Sequence, residues 1–119
     1  YIHSPDLLEA TMETQQRKGL FFAGQMTGVE GYVESAASGI VAACSAAARA
    51  AGKEPRAFPK ETAIGALCHY ISHFIGKDFQ PMNVNFGLLP PLPERVKKRE
   101  KNGKLAARAL SVLDAFIKK

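Results

Sequence analysis

Apolar positions fall into separate clusters punctuated by glycine and proline, and each cluster has its own period. Leu7, Leu8 and Met12 lie on one side of a short candidate helix over residues 6–17, which follows the fair N-cap Ser4 and Pro5. Leu20-Phe21-Phe22-Ala23 is a continuous apolar run between Gly19 and Gly24. Short, aromatic-rich and glycine-flanked, it predicts a strand buried on both faces, as in a parallel sheet. Residues 33–51 read as one helix that stops at Gly52, with Pro55 beyond. That helix is packed with alanine, serine and glycine, and small side chains let another backbone come close. Such a helix normally packs tightly against a sheet or a bound ligand. Residues 62–74 predict a second helix. Residues 79–93 carry Pro81, Pro90, Pro91 and Pro93, so they form no regular helix, yet they are apolar enough to lie along a surface. From residue 93 or 94 the chain is helical again, with Leu105, Ala109, Val112 and Phe116 on one face.

Composition narrows the class. With 119 residues, 46% hydrophobic and 23% charged, the chain fits one soluble globular domain. A disordered tail is excluded by the apolar content. Two cysteines do not make a disulfide scaffold. No apolar run reaches the roughly 20 residues of a membrane helix, and the opening residues lack a signal-peptide pattern. The expectation is a reducing, cytoplasmic setting without membrane contact. The chain does not begin with Met, which suggests a piece of something longer. The net charge of +5 is carried by residues 61–119, because residues 1–60 balance. Arg95, Lys97, Lys98, Arg99, Lys101 and Lys104 are its densest part. Such a stretch either meets nucleic-acid phosphates or forms a solvated helix face.

The chemistry-bearing element is the segment from Leu20 to the start of the small-residue helix. A strand, a glycine-rich turn and a helix amino end place free amides and a partial positive charge beside a ligand. Gly24, Gly28 and Gly31 allow close backbone approach. The spacing GxxxGxxG is neither the dinucleotide fingerprint GxGxxG nor a P-loop. By spacing alone, the glycines serve a ligand or simply the turn and helix packing.

The run from Leu20 through Gly24-Gln25-Met26-Thr27-Gly28-Val29-Glu30-Gly31-Tyr32 to Ala37 resembles the late flavin-binding segment of two related families. One is TrmFO, the folate- and FAD-dependent tRNA (uracil-5-)-methyltransferases. The other is the glucose-inhibited division protein A family of tRNA-modifying flavoproteins. Residues 28–35 and the stretch Phe79-Gln80-Pro81-Met82-Asn83-Val84-Asn85-Phe86-Gly87-Leu88-Leu89-Pro90-Pro91-Leu92 look like the methyltransferase family. So do Thr62-Ala63-Ile64-Gly65-Ala66-Leu67 and His69-Tyr70-Ile71.

The resemblance implies an α/β parent with a Rossmann-like FAD/NAD(P)-binding fold. This chain would be its C-terminal portion, mostly α-helical with one buried strand from the flavin-binding sheet. Residues 1–52 would close the FAD-binding domain, and residues 53–119 would form a helical region containing the proline-rich segment. The implied reaction methylates C5 of a T-loop uridine in tRNA. It uses methylenetetrahydrofolate and reduced FAD, with NAD(P)H as reductant. The family's dinucleotide fingerprint and catalytic cysteines lie upstream of the matching segment, so no catalytic residue is assigned here and the isolated chain is expected to be inactive. Gly24, Gln25, Gly28, Val29, Glu30, Gly31 and Tyr32 are the candidate cofactor residues. Arg95, Lys97, Lys98, Arg99, Lys101 and Lys104 are the candidate tRNA contacts. The rivals are a wobble-uridine-modifying flavoprotein of the division protein A type and a cofactor-free basic RNA-binding module.

The remaining residues read more plainly. Glu30 and Glu34, four apart, are an orienting pair near the flavin or, the favoured reading, helix-start carboxylates that complement the dipole. Tyr32 packs on the flavin or in the core. His69 and His73 have metal-ligand spacing, but Tyr70 stands where a zinc-protease helix needs Glu and no third ligand is evident, so no metal is expected. Cys44 is expected as a buried small hydrophobe, and Cys68 is not expected to be a nucleophile. Residues 79–92 are expected to brace the domain, with Asn83 and Asn85 as polar contacts. One strand cannot satisfy its own backbone groups. Residues 20–23 therefore require the remainder of a longer chain to complete the sheet.

Overall fold

The computed structural model describes residues 1–118. Its regular elements are four α-helices: α1 (Ser4–Leu7), α2 (Tyr32–Ala50), α3 (Ala63–His73) and α4 (Lys98–Lys118). No helix among the described residues is long and apolar enough to cross a membrane.

The first segment differs from expectation. The helix expected over 6–17 is a single turn, α1, with Pro5 in its first positions. Leu8 is already extended at the helix end. Met12 then takes a left-handed φ of +70°, which a continuing helix cannot accommodate. The amides of this stretch pair across the chain instead. Gln15 donates to the Leu7 carbonyl, Thr14 to Leu20 and Phe22 to Met12.

The buried strand over 20–23 does not form, and the expectation is corrected. Phe21 makes an isolated antiparallel bridge with Glu13. Leu20 is 39% exposed, and Phe21, Phe22 and Ala23 are half-buried. A strand buried on both faces needs neighbours along both edges and layers above and below. Here the described chain offers residues 12–14 along one edge.

The helices follow the sequence closely. α2 ends at Gly52, whose φ of +75° and amide bond to the Arg49 carbonyl close the C-terminus, with Lys53 reaching back to Ala48. The Thr62 hydroxyl caps α3 by accepting from the Gly65 amide at 3.0 Å. Gly65 is required there, because a Cβ would sit 1.9 Å from the Pro59 carbonyl oxygen. α3 is central and packs on both α1 and α2. Leu67, Cys68 and Ile71 join Leu8, Met12, Val29, Val41 and Phe79 in the main core. Ala66 joins Leu89 and Leu105 in a second cluster that anchors α4. Arg108 ties α4 to the proline-rich segment through the carbonyls of Pro90 and Pro91. At the far end of α4, the Arg56 guanidinium lies 4.2 Å over the Phe116 ring, which also packs against Phe58.

Residues 79–93 brace the molecule. Phe79 and Leu89 are buried. One short 3-10 turn, Phe86–Leu88, is capped by the Asn85 side chain accepting from Gly87 at 2.9 Å.

Candidate functional site

The turn from Gly24 to Gly31 is built on three glycines with positive φ: +81°, +94° and +92°. Each bend is then pinned. The Gly24 amide donates to Ser38 Oγ at 2.8 Å, and that hydroxyl donates to the Ser35 carbonyl. Gln25–Thr27 forms a 3-10 turn in which the Thr27 amide and hydroxyl both donate to the Gly24 carbonyl. Ser4 Oγ donates to the Thr27 carbonyl at 2.5 Å. Val29 then runs parallel to Met82: Met82 N donates to the Gly28 carbonyl and Glu30 N to the Met82 carbonyl.

The candidate cofactor residues are thereby sorted. Gly28 and Val29 are buried, and Val29 belongs to the main core. Gly28 faces Phe79, whose ring a Cβ would meet at 2.6 Å. Gly24 and Gly31 are half-buried, and Gln25 and Glu30 are exposed. Tyr32 is 91% exposed, so it is not a core residue of this chain. The Glu30 amide is committed to Met82, which removes it from the donors able to face a ligand. No side chain caps the start of α2. The Ser35 hydroxyl, one turn in, is shielded from water and has no partner among the described residues.

Glu34 takes the role of a tie. Its Oε2 accepts from Asn83 Nδ2 at 3.1 Å and from the Val84 amide at 3.2 Å. These bonds, the Asn83 one foremost, hold its carboxyl below the usual carboxylate range. Glu34 therefore joins the start of α2 to the proline-rich segment, a role that neither sequence reading gave it. The sequence signal for this tie, an Asn in a largely apolar stretch, was visible, but its partner was not. Glu30 makes no comparable side-chain bond among the described residues.

The candidate tRNA contacts Arg95, Lys97, Lys98, Arg99, Lys101 and Lys104 are all exposed, at or just before the start of α4. They lie on a different element from the glycine turn. His69 and His73 stack with ring centroids 4.2 Å apart, and no cluster of three metal-type ligands exists among the described residues. Cys68 is buried against Met12, and burial pushes its thiol up to about 12, which removes it as a nucleophile. Cys44 is exposed, not buried as expected, because the face of α2 that carries it is turned away from the core.

Two concavities lie elsewhere. One, of about 640 Å³, is apolar and sits between the start of α3, Val84–Leu89 and α4. The other, of about 470 Å³, is lined by Glu9, Glu13, Arg49 and Glu54 among others. Within it the buried Glu13 carboxylate receives a two-pronged Arg49 interaction, both bonds 2.8 Å, and the Gly19 amide. Arg49, foremost, holds the Glu13 carboxyl below its usual range.

Comparison with known proteins adds the following. The family model "Glucose inhibited division protein A" matches residues 1–54. Three proteins named methylenetetrahydrofolate--tRNA-(uracil-5-)-methyltransferase TrmFO align with nearly all of the chain. The one from Lactiplantibacillus plantarum is 56% identical, over 98% of this chain and 26% of its own length. The one from Anoxybacillus flavithermus is 57% identical, over 100% and 28%. The one from Symbiobacterium thermophilum is 58% identical, over 98% and 26%. Aquifex aeolicus GidA, a solved structure, is 43% identical with a TM-score of 0.55, covering 57% of this chain and 11% of that one. The chain spans about a quarter of the length of the curated relatives it matches. Across essentially its whole length, it is homologous to one part of the TrmFO proteins.

Proposed function

We propose that this chain works as part of a flavoprotein that methylates C5 of a T-loop uridine in tRNA. In this reading methylenetetrahydrofolate donates the carbon and NAD(P)H is the ultimate reductant. The carrying observation is the 53–58% identity to TrmFO proteins over 98% of this chain. Similarity to GidA covers 57% of the chain, which favours the methyltransferase over the wobble-uridine reading. A tRNA substrate fits a cytoplasmic location.

The cofactor in this reading is FAD, which supplies the electrons and carries the carbon when bound. The residues present suit one wall of its site. The α2 amino end is uncapped, the Ser35 hydroxyl has a bond left to make, and a Cβ at Gly24 would meet nothing within 4 Å. We assign Gly31 and the first amides of α2 to the edge of the flavin where negative charge collects on reduction, since a helix start stabilises such charge. Gln25 is exposed beside the turn and is assigned a hydrogen bond to the ribityl chain or the ring. The division of the chain at residues 52 and 53 stays part of this proposal. Arg95, Lys97, Lys98, Arg99, Lys101 and Lys104 are assigned to tRNA phosphates.

The test uses a protein of TrmFO length that contains this segment. It should purify yellow and form 5-methyluridine in tRNA, and Gln25→Ala should lower its FAD content or turnover. A colourless protein that forms no 5-methyluridine overturns the flavoprotein reading. Unchanged flavin and turnover in Gln25→Ala remove Gln25 alone.

A further inference from the structure

Asn83 lies against the last glycine of the turn. The bridge between Val29 and Met82 is parallel, so the residues that follow each run side by side. Side chains alternate along extended backbone. Met82 is half-buried and packs on the main core, while Asn83, one residue on, is exposed. A Cβ at Gly31 would meet Asn83 Nδ2 at 2.9 Å and Glu34 Oε1 at 2.5 Å. Two bonds then fix Asn83. Its backbone carbonyl accepts from Asn85 Nδ2 at 3.3 Å, and its own Nδ2 donates to Glu34 Oε2 at 3.1 Å. The second bond also decides which way the amide faces. An ionised carboxylate accepts and cannot donate, so only the NH2 end of Asn83 can face Glu34. Glu34 is ionised at neutral pH, since its carboxyl is held below the usual range, by Asn83 foremost. Asn83 Oδ1 is thereby turned away from Glu34, and among the described residues it accepts no bond. Asn85 differs, because its Oδ1 is used by the Gly87 amide.

The turn thus carries a preset acceptor next to the uncapped start of α2, where backbone amides donate. Donors beside one fixed acceptor match a ring edge on which a carbonyl adjoins an N–H. A cyclic imide has that edge, with its N–H between two carbonyls. A cytosine-like ring has a bare nitrogen at the same place and would set its lone pair against Oδ1. We infer that Asn83 is a specificity residue whose Oδ1 accepts from the imide N3–H of a pyrimidine-type ring, with Glu34 as the positioning residue that keeps this acceptor outward. Two rings of the proposed reaction carry the imide, the flavin of FAD and the target uracil. The inference rests on that proposed reaction and adds which group of this chain tells an imide from its neighbours in chemistry.

The test uses a protein of TrmFO length, unsubstituted and with Asn83→Ala, Asn83→Leu or Glu34→Gln. Dissociation constants are measured for two pairs of ligands. One pair is FAD and 3-methyl-FAD on the apoprotein, followed by flavin fluorescence. The other is a T-loop RNA with uridine or 3-methyluridine at the target, followed by fluorescence anisotropy. Methylation at N3 removes the donor. The unsubstituted protein should prefer the unmethylated member of one pair by roughly tenfold or more, and that pair names the ring. In Asn83→Ala and Asn83→Leu the preference should fall to within about twofold, with the unmethylated ligand bound roughly three- to tenfold weaker, the scale of one neutral hydrogen bond. Leucine keeps the bulk of asparagine, so a purely steric preference survives it. A purely structural role for Asn83 weakens both members of a pair alike and leaves the preference intact. Glu34→Gln should give an intermediate preference, because a Gln amide can meet either end of the Asn83 amide. Preference in neither pair, or a preference that persists in both Asn83 variants, overturns the inference. A preference unchanged in Glu34→Gln overturns the positioning role. A protein that takes up FAD but shows no Asn83-dependent preference sinks this inference alone. One that takes up no FAD sinks the flavoprotein reading, and the RNA pair then decides this one.

Discussion

Gly28 is the point of the glycine turn that faces a buried aromatic ring, and its replacement by alanine gives a test with a built-in control. Two costs combine there. At φ +94° an L-residue pays roughly 1–2 kcal/mol for the left-handed conformation. The new Cβ would also lie 2.6 Å from Phe79 Cζ and 2.7 Å from Cε2. Phe79 has little room to yield. It is 3% exposed and touches Tyr1, His3, Tyr70 and Phe74 at ring-centroid distances between 5.7 and 6.0 Å. Overpacking of this kind costs about 1–3 kcal/mol, so Gly28→Ala should lose about 2–5 kcal/mol in all. Gly52→Ala is the control. Its φ is +75° and a Cβ there meets nothing within 4 Å, which leaves the conformational cost of roughly 1–2 kcal/mol. Urea unfolding followed by circular dichroism measures both, provided the slope m is unchanged. Phe79→Leu should recover part of the Gly28→Ala loss, with a coupling of about 0.5–3 kcal/mol in a double-mutant cycle. Equal losses at Gly28 and Gly52, with no coupling to Phe79, would refute the packing argument.

Two further outcomes are expected. Because the folded-state pKa of Glu34 lies below 4.5, its tie to Asn83 and Val84 is intact above the unfolded value and is lost as pH falls through the folded one. The Val84 amide shift in an NMR titration should follow a midpoint below 4.5 and lose that step in Glu34→Gln; a midpoint at or above the ordinary value contradicts the assigned bonds. In the TrmFO-length protein, Lys101→Glu with Lys104→Glu should weaken tRNA binding and flatten the salt dependence by roughly one unit of log–log slope per phosphate contact removed. An unchanged slope returns those lysines to a solvated helix face.

The helices were legible because their hydrogen bonds are local. The small-residue run ending at Gly52 set α2 to within a residue at each end. Thr62 and the apolar positions after it set α3, and the spacing from Leu105 to Phe116 set the body of α4, though its start lies at Lys98 rather than at residue 93 or 94. The glycine turn was legible as a turn, since three glycines so close in sequence before a helix leave few other conformations. Leu20-Phe21-Phe22-Ala23 was misread for the opposite reason. Its composition reports a demand for neighbours on two faces and two edges, and a sequence cannot say whether the chain supplies them.

What the sequence determined, then, is the set of segments able to satisfy their backbone groups by themselves, together with the motifs that mark the family. Tertiary structure alone decided how they meet: Phe79 against Gly28, Glu34 on Asn83, Glu13 on Arg49, and Cys44 turned outward. Those are contacts between residues 36 to 51 positions apart in three cases and an exposure in the fourth. Each depends on which faces the other elements leave open, and in α2 the apolar face is the one left open.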